Sequence, residues 1–165
     1  MSVEEQSTTK ANVTIAASGI VNPLGGRFDK VMAGYLSCMP NFAQIEIEPE
    51  QVAMLAKVDE DLLEPLPSSL DELAISKREQ RMLRLAAMAL NECLSQVETD
   101  HPLPLYLALP SEQEAPNVGD YPAWLSHLCP QYILADRCRL FCQGRAAGVV
   151  AIHQAIEAIE CGGVE

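Results

Sequence analysis

The chain has 165 residues, 48% apolar and 21% charged, enough for one domain with a buried core. Its formal net charge of −12, with only 11 Lys+Arg, excludes the basic face that phosphate-backbone recognition requires, so no nucleic-acid partner is expected. No apolar run approaches the roughly 18 residues of a membrane span, so no membrane partner is expected either.

The polar opening, MSVEEQSTTKAN, lacks the basic and apolar regions of a signal peptide. Residues 1–12 are expected to form a flexible tail and 13–165 a single domain. Six cysteines without paired CxxC spacing point to reduced thiols in a cytoplasmic protein. Cys138 and Cys142 would share one strand face, but no second ligand pair accompanies them. They read as small buried apolar residues, and neither a metal nor a cofactor is expected.

In chain order, Val13–Ala17 predicts a buried strand, followed by a turn-rich loop over Ser18–Gly26. A helix is predicted from about Arg27 to Leu36, with Phe28, Val31, Met32 and Tyr35 on one face. Asn41–Glu48 alternates and predicts an extended piece, and Glu50–Val58 a helix. Pro65 and Pro67 break the chain before a short helix, Leu70–Ile75. Lys77–Val97 then predicts a long helix with a stripe of Met82, Leu85, Ala86, Ala89, Leu90, Cys93 and Leu94. Arg78, Arg81 and Arg84 fall on its opposite side, and Asp59-Glu60-Asp61 reads as a solvated helix end.

Leu103–Leu109 is the near-continuous apolar run of a strand buried on both faces. Pro122–Leu128 predicts a short helix carrying Trp124 and His127. A second strand begins at Tyr132–Leu134 and runs irregularly to Cys142. A glycine turn at Gly144 opens a final helix whose Val149, Ile152, Ile156 and Ile159, with alanines beside them, predict burial on most sides. Gly144 and Gly148 stand four apart, which predicts close approach to a neighbouring backbone. The alternation implies an α/β layered domain with a mostly parallel sheet. The Gly19…Gly25-Gly26 loop lacks GxGxxG spacing, His101 and His127 have no Ser or Cys at elbow spacing, and His153, within the final helix, reads as a satisfied or partly exposed histidine and not a ligand.

These segments carry a family likeness. The loop Ser18-Gly19-Ile20-Val21-Asn22-Pro23-Leu24-Gly25, the helix Arg81–Leu90, and the closing run with Gly148, Ile152, Ala155, Ile159, Gly162 and Glu165 occur in the order of one family. Over residues 13–165 the chain resembles the N-terminal half of a β-ketoacyl synthase (3-oxoacyl-acyl carrier protein synthase) of the thiolase-like superfamily. The resemblance implies an incomplete, thiolase-like half-fold with a buried helix after a nucleophile elbow. It implies acyl-thioester condensation in fatty-acid or polyketide-type biosynthesis, and pairing as a homodimer.

The same register sets the family's nucleophilic cysteine on Arg145, inside Gly144-Arg145-Ala146-Ala147-Gly148. A thiolate is stabilised at a helix N-terminus, whereas a guanidinium there meets the opposite sign and cannot attack a thioester. Sliding the register by three to use Cys142 puts Arg145 on the elbow glycine, so Cys142 is the secondary candidate. The family's two catalytic histidines come from its other half. The resemblance therefore implies an acyltransferase-like chain with no intact catalytic residue, inactive alone. Two roles remain open: a non-catalytic partner of an active ketosynthase, or an acyl-thioester or coenzyme A binder that uses Arg145 and Gly148. Acyl carrier protein is a further partner by resemblance, with Arg78, Arg81 and Arg84 as the basic patch.

Overall fold

The structure, a computed structural model, describes residues 12–38, 42–49, 51–70, 75–99, 101–111, 113–114 and 117–162. The expected tail over 1–12 and the short helix over 70–75 lie mostly outside these residues.

The centre of the fold is a strand–helix–strand–helix run. Strand β3 (Leu103–Ala108) pairs in parallel with β4 (Ile133–Phe141), joined through α3 (Tyr121–Leu128). A parallel pair needs such a crossover, because its strands enter from the same end. Leu103 pairs with Ile133, but Leu105 pairs with Cys138, so β4 advances five residues while β3 advances two. The irregularity expected after Leu134 is this bulge. Helix α4 (Ala147–Glu160) packs back across both strands.

Alternation along the strands separates two faces. Leu105, Leu107, Cys138 and Leu140 meet a core made by α3 and by α2 (Lys77–Leu94). Leu83, Tyr121, Trp124, Leu125, Cys129 and Ile133 are its buried centre. Tyr106, Arg139 and Phe141 have the opposite parity. The Tyr106 and Phe141 rings stack at 6.1 Å, and the Arg139 guanidinium sits 5.5 Å from the Tyr106 centroid.

Helix α2 starts with a capping box. The Glu79 backbone N–H donates to Ser76 Oγ, and the Glu79 carboxylate accepts from the Ser76 N–H at 2.9 Å. Its apolar side is the expected one at Met82, Ala86 and Leu90, with Leu83, outside the expected stripe, fully buried.

Several expectations change. Val13–Ala17 is not a strand, and Ile15 is 91% exposed. The chain that follows is strapped to α2 and the turn after it: Glu92 accepts the N–H groups of Ile20 (2.9 Å) and Phe28 (2.7 Å), and Gln96 donates to the Ser18 carbonyl. These side chains supply the partners a sheet would have given. Helix α1 (Phe28–Leu36) forms as expected, but only Val31 of its apolar face is buried.

Gln51–Leu55 is not helical but strand β2, antiparallel to β1 (Ala43–Glu48), with Ala43 opposite Leu55 and Ile45 opposite Ala53. An adjacent extended segment joined through Pro49 offers Gln51–Leu55 a ladder, and pairing overrides helical periodicity. Among the described residues, the mostly parallel sheet is thus one parallel pair and one separate antiparallel hairpin.

Helix α4 is not buried on most sides. Ala147 and Ala151 are buried, whereas Val149, Ile152 and Ile159 are 74%, 64% and 46% exposed. Two strands about 4.8 Å apart make a platform about one helix wide, so they cover a single line of the helix. Nor is β3 buried on both faces: its residues are half-buried or exposed.

Candidate functional site

The expected site lies where β4 turns into α4. After Phe141 the chain passes through Cys142 and Gln143, then Gly144 takes φ +60. That left-handed conformation suits glycine, and it is the reason a glycine stands at this turn. A single 3-10 turn, Gly144–Ala146, follows before α4 begins at Ala147. Arg145 is therefore in the 3-10 turn, two residues short of α4, with its side chain exposed. Gly148 lies in the first turn of α4 and is also exposed. A Cβ added at Gly144 or Gly148 would meet nothing within 4 Å, so the expected close approach at this glycine pair does not occur.

Close approach happens elsewhere. A Cβ on Gly19 would fall 1.9 Å from the Ala89 carbonyl oxygen, so only glycine lets the strap lie against α2.

Two of the described thiols, Cys138 and Cys129, are shifted away from the thiolate. Cys142 is half-buried and engaged by a neighbour. Burial, together with the Asp136 carboxylate, pushes the Cys138 thiol up, and it bonds the Leu134 carbonyl at 3.3 Å. Burial likewise pushes up Cys129, which bonds Asn91 Oδ1 at 3.3 Å. Both are held as neutral thiols, the opposite of an activated nucleophile. His101 and His127 are exposed, and His153 faces Glu157 at 3.3 Å on α4. Among the described residues, no group of three or more His, Cys, Asp or Glu could hold a metal ion. No helix there is long and apolar enough to cross a membrane.

The densest polar chemistry lies instead around α2. Glu79, 3% exposed, is the buried charge of the fold's described part. The Ser76 hydroxyl, at 2.6 Å, holds its carboxyl below the usual range; burial opposes this, and Asn117 adds to it. Tyr121, 2% exposed, is pushed up to about 12, first by burial and then by the Glu79 charge, with Arg78 acting the other way. The Ser-x-x-Glu spacing before an apolar run was the available sequence signal for this cluster.

Arg81 and Arg84 are not a free basic face. Arg81 donates to the Val58 carbonyl at 2.7 Å and pairs with Glu60. Arg84 donates to the carbonyls of Glu60, Leu63 and Glu64, and to the Glu60 carboxylate at 3.0 Å. Glu60, expected to be a solvated helix end, is the acidic centre of this clamp. Depressions of about 530, 230 and 420 Å³ lie along α2.

Compared with known proteins, the chain matches no protein-family model, no curated protein and no solved structure.

Proposed function

We propose that this chain is a ketosynthase-like, thiolase-type half-fold that works as a non-catalytic pairing subunit in fatty-acid or polyketide-type acyl metabolism. One observation carries the pairing role. Helix α4 presents Val149, Ile152 and Ile159 to solvent at 74%, 64% and 46% exposure. With half-buried Ile156 they recur at intervals of three, four and three, the seam spacing of a helix that packs against another element. Apolar surface gathered on one helix face marks an interaction site more often than single scattered residues do. The family assignment rests on the resemblance over residues 13–165. The non-catalytic reading rests on Arg145 standing where the resemblance sets the family's nucleophile.

The test is sedimentation of the purified chain over a range of concentrations, alone and mixed with an active β-ketoacyl synthase. Self-association or a mixed complex is expected, and Val149→Glu with Ile152→Glu should abolish it without lowering the melting temperature. A chain that stays monomeric in both settings would refute the pairing role. Intact mass after incubation with acyl-thioester or cerulenin should be unchanged; an adduct on Cys142 would refute the non-catalytic one.

A further inference from the structure

We infer that the depression beside the N-terminal half of α2 is a binding site for a multiply charged oxyanion, a phosphate ester or diphosphate group. It is lined by Glu60, Lys77, Arg78, Gln80, Arg81 and Arg84 and has a volume of about 530 Å³. Small-molecule sites fall in this size range. Four of the chain's 11 Lys+Arg converge there against one carboxylate, a local excess of three positive charges in a chain of net charge −12.

Three features favour an oxyanion ligand over a merely solvated helix face. First, Arg81 and Arg84 are already ordered by the carbonyls of Val58, Glu60, Leu63 and Glu64. Long side chains fixed in advance lose less freedom when a ligand arrives. Second, Lys77 and Arg78 occupy the first two positions of α2, where the helix end is itself positive. Cations there are unfavourable for the helix; the Glu79 carboxylate of the capping box meets part of that charge, and an anion held by the two side chains would meet more of it. Third, these two side chains are exposed and largely unspent. Among the described residues, Arg78 makes one hydrogen bond, to the Glu114 carbonyl at 3.1 Å, and Lys77 makes no ion pair. Arginine supplies a planar fork of donors and lysine a point charge, the usual pairing for phosphate oxygens. Glu60 is engaged by Arg81 and Arg84, so its charge is offset within the clamp.

This inference does not depend on the ketosynthase-like reading. Calorimetric titration with inorganic pyrophosphate and orthophosphate tests it, with sodium chloride at matched ionic strength as the control. Saturable binding is expected, tighter for pyrophosphate, with amide NMR shifts confined to residues 58–64 and 77–84. Lys77→Gln, which removes no ion pair among the described residues, should weaken binding about tenfold, and Lys77→Gln/Arg78→Gln should weaken it further. Equal heats in chloride, or unchanged affinity in the double variant, would overturn the site. So would binding of an acidic peptide at this face with no response to pyrophosphate.

Discussion

Arg84 holds Glu60 twice: its guanidinium donates to the Glu60 carboxylate at 3.0 Å and to the backbone carbonyl of the same residue at 3.2 Å. The side-chain bond is a partly exposed ion pair, worth at most about 1 kcal/mol. The backbone bonds, with those to Leu63 and Glu64, satisfy carbonyls of a segment that has no sheet or α-helix partner. Arg84→Ala should therefore destabilise by about 1–3 kcal/mol, and Glu60→Gln by clearly less. Urea unfolding of both variants checks the order, and equal losses would show that the ion pair alone matters.

The strap offers a second measurement. Gly19→Ala forces a Cβ against the Ala89 carbonyl, an overpacking that costs about 1–3 kcal/mol. The strain should be relieved by lifting the strap, so the amides of Ile20 and Phe28 should exchange faster while those of β3 and β4 keep their protection. Glu92→Ala should speed the same two amides, because it removes their acceptor.

Alkaline titration addresses Tyr121. Its folded pKa is raised to about 12 from 10.0, so the folded chain retains that proton while the unfolded chain loses it. Stability is then complete below pH 10 and falls as pH rises towards 12, by on the order of 2 kcal/mol. Tyr121→Phe should remove this loss from the alkaline limb of a stability–pH curve. Glu79 acts in acid: its pKa is lowered from 4.5, so its contribution is present above that value and disappears as pH falls below it. Glu79→Gln should flatten the acid limb.

The phase of α4 can be read from two neighbours. Ala151 is 5% exposed against the strands and Ile152 is 64% exposed. Ile152→Ala should leave monomer stability nearly unchanged, while Ala151→Leu should cost about 1–3 kcal/mol by overpacking. The reverse order in thermal melts would mean that the helix is rotated from the orientation described.

Core truncation sets the scale for these effects. Leu83 and Leu125 are both fully buried, on α2 and α3. Replacing either with Ala should cost about 2–5 kcal/mol, seen as a lower urea midpoint.

Much of the local structure was legible residue by residue. Helix α2 was readable from its stripe at Met82, Ala86 and Leu90, and β3 from its apolar run. Turn chemistry at Gly144 marked the β4–α4 junction correctly, since only the left-handed conformation connects the two elements there. Gln51–Leu55 was not legible, because a five-residue amphipathic stretch suits either period and the adjacent β1 decides.

At the candidate site the division is the same. Sequence alone determined that Arg145, and no thiol, stands after the glycine turn, because that is a matter of order along the chain. Tertiary structure decided that Arg145 and Gly148 face solvent, that Arg81 and Arg84 close on Glu60, and that α4 keeps an apolar face uncovered. The physical reason is that periodicity reports which side of a helix is apolar, whereas burial depends on how much surface other elements bring to it. Among the described residues, two paired strands lie beneath α4, and they cover the line of Ala147 and Ala151 but not the line of Val149, Ile152 and Ile159.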